Sequence, residues 1–267
     1  MLKNTLINLF KDFGERPTLY KNFEEINSDL QFAYKYVGKI AKNKSILDFG
    51  CGGGYGTQYL SRFTAKRVIG YDINEFAVSS ANQFFSQSKN LHFQSILPSQ
   101  KFDLIVSFQV VEHISSQQLK TYFNSIISHL NPGGKVFFAT PNKLITSYKL
   151  KTPIFAFHTI EYTPKTFYKL LHSYFKKVTI SGQISQPTAK LVKAGKFSYD
   201  DLSTLNFKYQ AIRFLSQIKP IRYLTGRVPQ GLKNLVLGQT KIDKTPQLIS
   251  ADKQLLNNSY ILIAECS

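Results

Sequence analysis

Cysteine is almost absent from this 267-residue chain. Only Cys51 and Cys266 occur, too few for a disulfide framework, so a reducing cytoplasm is the expected compartment. Long apolar runs are missing as well: the longest, 136–139 and 260–264, fall far short of the roughly 20 residues that a membrane span needs. The first ten residues carry an apolar stretch broken at Asn8 and no small-residue cleavage site, so export is not expected. No repeat, low-complexity tract or Pro/Gly/Ser linker divides the chain. Acidic residues are scarce, 16 against 34 Lys and Arg, giving a formal charge of +18. That excess suggests nucleic acid, an anionic membrane surface or an acidic substrate as partner. It is uneven: residues 1–150 hold 17 basic against 10 acidic residues, net +7, whereas residues 151–267 hold 17 against 6, net +11. What the chain does have is a 43% hydrophobic and 14% aromatic composition, enough for one sizeable core.

Four zones follow from the patterning. Residues 1–43 are polar and then helical, with Leu30, Ala33, Tyr34, Tyr36, Val37 and Ile40 on one face, a lid or packing helix. Residues 44–182 alternate β-rich apolar runs with helical stretches, the pattern of a parallel sheet with crossover helices. Strands are expected at 45–49, 67–71, 91–94, 102–108, 134–140 and 177–181, with helices at 55–63, 75–86, 116–130 and 163–174. Residues 183–258 form a basic, less regular insertion, with a helix expected around 207–218 and ended by Pro220. Residues 259–267 supply a last core strand.

The most informative stretch is Ser45-Ile-Leu-Asp-Phe-Gly-Cys-Gly-Gly-Gly-Tyr-Gly56, a buried strand running into a glycine loop and then a helix. Gly50, Gly52 and Gly54 let the backbone turn sharply and approach a ligand, and the helix start offers unpaired N–H groups. A dinucleotide fingerprint needs a third glycine where Tyr55 stands, and a P-loop needs a Gly-Lys-Ser/Thr run that the loop lacks. Asp48, just before the glycines, would repel a pyrophosphate and suit a cationic ligand. Asp72 ends the second strand, where a carboxylate accepts both hydrogen bonds of a ribose diol. An ammonium group and a ribose on one ligand describe S-adenosylmethionine.

At these residues the sequence resembles the class I S-adenosylmethionine-dependent methyltransferases. The resemblance runs through Asp48-Phe-Gly-Cys-Gly-Gly-Gly54, Val68-Ile-Gly-Tyr-Asp-Ile73, residues 102–114 and Leu130-Asn-Pro-Gly-Gly134. Within the class it is most similar to the type 11 members that accompany surface-glycan pathways, through Gly14-Glu-Arg16, Ala139-Thr-Pro-Asn142 and residues 157–164. The resemblance implies an α/β, Rossmann-like sheet of seven mostly parallel strands, order 3-2-1-4-5-7-6, helices on both faces, and the last strand inserted antiparallel. It implies that Asp48 and the backbone of Gly50, Gly52 and Gly54 hold the methionine part, Asp72 the ribose, and Ile73 the adenine face. Gln109 would line the methionine side, and Ser95 stands where many members carry an acidic residue for the adenine amino group.

A sulfonium methyl is already activated, so alignment of the acceptor is the main task. A hydroxyl acceptor additionally needs a base, for which His113, beside Glu112, and His158, with Glu161, are the candidates. Beside neither pair does a third or fourth ligand stand at metal spacing, so no metal is expected. Cys51 and Cys266 are not placed as nucleophiles, and the tetrad expected for base methylation is missing. The expected acceptor is therefore a hydroxyl of a glycan, a lipid-linked compound or another small molecule, with the basic residues solvated or meeting phosphate. Two rivals use the same charge: an RNA methyltransferase, which lacks a recognisable RNA-binding module, and a non-catalytic protein docking at an anionic membrane through residues 207–237, a stretch broken by Pro220 and Pro229.

Overall fold

A computed structural model of the chain describes residues 23–25, 28–63, 66–85, 89–147, 150–153, 155, 157–195, 247–257 and 259–267. The helix expected at 207–218, the 207–237 stretch and Gly14-Glu-Arg16 lie outside the described residues. The strands are β1 (Ile46–Phe49), β2 (Val68–Tyr71), β3 (Leu91–Gln94), β4 (Phe102–Phe108), β5 (Leu130–Pro141), β6 (Val178–Ser185), β7 (Gln247–Ser250) and β8 (Ile261–Cys266). The helices are α1 (Ser28–Gly38), α2 (Tyr55–Ser61), α3 (Glu75–Phe85), α4 (Leu119–Ser128), α5 (Lys143–Thr146), α6 (Pro164–His172), α7 (Gln186–Lys193) and α8 (Lys253–Asn257).

The strands form one sheet in the order β3-β2-β1-β4-β5-β8-β6-β7. The first five are parallel, β8 runs antiparallel between β5 and β6, and the seven expected strands stand in the expected order. One strand is additional: β7 pairs antiparallel with β6 at the edge, from within the stretch read as an irregular insertion. The 182 boundary is also too early, since β6 runs on to Ser185. Asn131-Pro-Gly-Gly134 lies within β5, which begins ahead of the strand start expected at 134, and the register against β4 shifts between Phe102 and Leu104.

Strand geometry decides which side chains meet. All four residues of β1 are buried, as a central parallel strand requires, and successive residues face opposite sides. Leu47 and Phe49 join Ile69, Ile105, Phe138, Phe123 and Phe167 on the face covered by α4 and α6. Ile46 joins Val68, Leu104, Val106 and Phe137 on the other face, together with Ala33, Tyr34 and Val37 of α1. The same alternation sends Asp48 to the α1 face, beneath Tyr34. α1 is thus part of the core packing, and Phe23 just before it stacks on Tyr59 at 4.1 Å. Ile40, expected on the apolar face, lies past the helix end and is exposed.

Two polar devices hold the far side of the sheet in place. Thr163 caps α6 by accepting from Thr166 N at 3.2 Å, with Pro164 in the first turn. Asn142 is fully buried at the end of β5; its Oδ1 accepts from Leu144 N, and its Nδ2 donates to the carbonyls of Leu256, Asn257 and Ser259. One side chain therefore ties β5 to the turn that feeds β8.

Candidate functional site

A cleft of about 520 Å³ opens at the carboxyl ends of β1, β2 and β4, the place where ligands bind in open α/β sheets. Its floor is the glycine loop. Gly50 N and Cys51 N donate to Tyr71 O at 2.7 and 3.0 Å, clamping the loop to β2. Gly50 has φ +85°, and a Cβ there would meet Val110 Cγ2 at 2.5 Å, so only glycine fits. Gly52 has φ +52° and a Cβ there would meet nothing within 4 Å: this is the open side of the loop. Gly54 does not line the cleft; its Cα packs against Ala81 and Phe93.

Asp72 stands beside Gly52. Its Oδ2 accepts from Gly52 N at 2.8 Å and its Oδ1 from Asn74 N at 2.8 Å. The carboxylate is therefore fixed from two directions, and each oxygen keeps lone-pair capacity for a ligand hydroxyl. Ile73 follows on the rim with 81% of its surface exposed, an apolar side chain left open at the cleft edge. Gln109 also lines the cleft, with φ +57°, a conformation that costs a non-glycine residue about 1–3 kcal/mol. Its N–H donates to Ala139 O at 2.8 Å, so β5 holds it there. Ser95, expected near the adenine, is outside the lining.

Asp48 requires a correction. Expected to hold a ligand ammonium at the mouth of the sheet, it is fully buried and lies behind the loop. Tyr34 Oη donates to both of its oxygens, at 3.2 and 3.0 Å, and Thr57 Oγ1 donates at 2.7 Å. Burial pushes its carboxyl up to about 7, against the opposing pull of those hydrogen bonds. The role left to Asp48 is to anchor α1 and α2 under the loop. The physical reason is enclosure: Asp48 stands on the face of β1 that packs against α1, and Tyr34, which itself lines the cleft, and Thr57 cover it there. Cys51 touches the cleft, but burial pushes its thiol well above the usual value, and burial pushes that of Cys266 up to about 12. Neither is a thiolate nucleophile near neutral pH.

The opposite wall carries the histidines. His113 ends a short 3-10 turn, Val111–His113, and lines the cleft, its Nδ1 2.9 Å from Phe157 O. His158 is buried and is not part of the lining; its Nδ1 lies 2.7 Å from Glu161 Oε1, and Thr146 Oγ1 donates to Glu161 Oε2 at 2.6 Å. The two segments are sewn together by Thr159 N and Ile160 N, both donating to Glu112 O, at 2.8 and 3.2 Å. The imidazoles consequently lie edge to face, with centroids 5.1 Å apart.

Sequence spacing set no third or fourth ligand beside either histidine pair, and the fold brings Glu112 and the two histidines together. One donor atom each from Glu112, His113 and His158 falls within 4.8 Å of the others. The contact spans 45 residues of chain, so spacing in the sequence does not display it. Sequence reasoning also passed over Tyr34, Thr57 and Asn142 as polar partners, and Glu112 as a buried carboxylate. Only Tyr34 left a signal, as a polar-tipped residue on the apolar face of α1.

The profile of a family described as a methyltransferase domain matches residues 19–177. The chain is 30% identical over 146 residues to a probable S-adenosylmethionine-dependent methyltransferase of Mycolicibacterium smegmatis, covering 54% of this chain and 56% of that protein. It is 33% identical over 140 residues to the ubiquinone biosynthesis O-methyltransferase of Coxiella burnetii, covering 49% of this chain and 58% of that one. Among solved structures it is similar to the N-methyltransferase NodS from Bradyrhizobium japonicum WM9 in complex with S-adenosylhomocysteine, with 17% identity, a TM-score of 0.46, and coverage of 59% of this chain and 77% of that one. The chain spans about half the length of the curated relatives it matches. With the profile running from before α1 to the start of β6, the chain belongs to the methyltransferase-domain family.

Proposed function

We propose that the chain transfers a methyl group from S-adenosylmethionine to a hydroxyl of a small-molecule, glycan or lipid-linked acceptor. The observation that carries this reading is the Gly52–Asp72 pair on the cleft floor, a fixed carboxylate beside open space over a glycine. A ribose diol fits the lone pairs of Asp72, the adenine fits the exposed face of Ile73, and the loop backbone with Gln109 fits the methionine end. The names of the relatives, S-adenosylmethionine-dependent and ubiquinone O-methyltransferases, agree with that donor and with an oxygen acceptor.

When bound, the cofactor supplies a methyl on a positively charged sulfur. Transfer breaks that C–S bond, forms a C–O bond and releases the proton of the acceptor hydroxyl, leaving S-adenosylhomocysteine. The protein's tasks are to align the acceptor oxygen and to deal with its proton. The wall opposite Asp72 provides for the second, with His113 on the cleft and His158 and Glu161 behind it as positioning residues. The basic second half of the chain, net +11, supports a phosphate-bearing acceptor or carrier.

Two free, buried cysteines suit a reducing cytoplasm, and among the described residues no helix is long and apolar enough to cross a membrane. Calorimetry with S-adenosylmethionine or S-adenosylhomocysteine tests the donor. Labelled-methyl transfer to fractionated cell extract tests the acceptor. The reading stands if label enters a small molecule, glycan or lipid and resists hydrolysis as an ether; it fails if the folded protein binds no cofactor, or if the label enters RNA.

A further inference from the structure

Glu112, His113 and His158 present one donor atom each within 4.8 Å of one another, and His113 brings the group to the lining of the cleft. Two of the three are buried in the body of the protein, where an ionisable group is costly unless it is compensated. Each is also held from outside. His113 Nδ1 and His158 Nδ1 face acceptors, Phe157 O at 2.9 Å and Glu161 Oε1 at 2.7 Å. An acceptor on Nδ1 assigns the proton to that nitrogen and the lone pair to Nε2, the tautomer a metal ligand needs. Thr140 Oγ1 donates to Glu112 Oε2 at 3.0 Å, and Thr146 Oγ1 orients Glu161. A carboxylate behind an imidazole, itself held by a hydroxyl, is the outer-shell arrangement found around bound metals.

We propose that Glu112, His113 and His158 form a divalent-cation site whose remaining coordination positions open onto the cleft and take the acceptor oxygen. Two imidazoles and one carboxylate suit a borderline ion such as Zn²⁺, Fe²⁺ or Co²⁺ better than Ca²⁺ or Mg²⁺. Bonds of about 2.0–2.2 Å bring neighbouring donors to about 3–4 Å, so the set closes by on the order of 1 Å on binding. The half-buried His113 is the member with room to move. A cation there lowers the pKa of a bound hydroxyl, which selects alcohols and phenols, and favours acceptors with two adjacent oxygens. The second half of the proposal rests on the reading of the cleft as the methyl-transfer site; the first half does not.

The test is titration of the untagged, chelator-stripped full chain with Co²⁺, followed by visible absorption, and displacement by Zn²⁺. The expected result is one equivalent bound with a site-specific ligand-field band, and affinity at least tenfold weaker in both Glu112→Gln and His113→Gln. Glu161→Gln, which leaves all three donors in place, weakens it about 10–100-fold through His158. Near-ultraviolet circular dichroism of each variant separates loss of ligand from loss of fold, and His113→Gln, at the cleft surface, is the variant least exposed to that ambiguity. Absence of stoichiometric Co²⁺ binding, or binding unchanged in folded Glu112→Gln and His113→Gln, overturns the site. Calorimetry with S-adenosylhomocysteine on the same samples keeps the two readings apart. Cofactor binding without Co²⁺ binding removes the metal site alone, and Co²⁺ binding without cofactor binding removes the methyl-transfer reading alone.

Discussion

The hydroxyl of Tyr34 reaches across from α1 to both carboxylate oxygens of Asp48, at 3.0 and 3.2 Å, in the interior of the protein. This is the bond by which the N-terminal helix is joined to the strand that carries the glycine loop. Tyr34→Phe removes one of the two side-chain donors to a buried carboxylate. The expected cost is about 1–3 kcal/mol of stability, measured by urea unfolding. Asp48 also makes stability pH-dependent. Its folded pKa, about 7, lies above the unfolded value, so the folded state holds the proton more tightly. The contribution is therefore complete below about pH 4 and is lost as pH rises through 7. Unfolding midpoints in the wild type fall from about pH 4 to about pH 7 and level off above it, and Asp48→Asn flattens that slope.

Asp72 is bound on one side by Gly52 N and on the other by Asn74 N. Asp72→Ala deletes the acceptor proposed for the ribose and at the same time frees the loop amide. Loss of charge-assisted bonds of about 1.5–3 kcal/mol corresponds to roughly 10–150-fold weaker cofactor binding, read by calorimetry. Asp72→Asn keeps the shape and one carbonyl acceptor, so an intermediate affinity is expected. Equal affinities in wild type and Asp72→Ala count against the assignment.

Asp72 could be read from the sequence because its place, one residue past an apolar β run, fixes its position at the mouth of a parallel sheet. Asp48 could be located, but its enclosure could not be read: the residue that covers it from α1, Tyr34, lies 14 residues earlier in the chain. The strand order followed from the family likeness, whereas β7 did not, because Gln247–Ser250 has just two apolar residues between polar ones and, among the described residues, pairs with β6 alone at the sheet edge. The Glu112–His158 cluster was hidden for the same kind of reason. Its members are brought together by backbone bonds from Thr159 and Ile160 to Glu112 O, which no side-chain pattern announces.

The glycines of the loop separate fold from binding. Gly52→Ala places a methyl where no atom lies within 4 Å. Its fold cost is then only the left-handed backbone, about 1–2 kcal/mol, and the methyl intrudes on the space above the loop. A small fall in melting temperature with at least a tenfold (about 1.4 kcal/mol) loss of cofactor affinity is expected. Gly56→Ala behaves differently, since its Cβ would run into the ring of Tyr34. Displacing that ring breaks the Asp48 contact, so the main loss is stability. If Gly52→Ala binds S-adenosylhomocysteine as tightly as wild type, the cofactor does not lie over this loop.

Glu161 distinguishes a positioning role from a merely structural one. It is buried and touches His158 Nδ1 at 2.7 Å, while Thr146 holds its other oxygen. Glu161→Gln keeps the volume and the bond to Thr146 but replaces the negative charge behind the imidazole with a neutral amide. If the His113–His158 wall handles the acceptor proton, turnover falls about 10–100-fold, cofactor affinity is unchanged because Glu161 lies outside the cleft lining, and the pH profile of kcat/KM shifts with the altered imidazole. A purely structural residue would lower the melting temperature without moving that profile. Single-turnover rates measured across pH 6 to 9 read the two outcomes separately, and an unchanged rate and profile in a folded Glu161→Gln protein rules out the relay from Glu161 through His158 to the cleft.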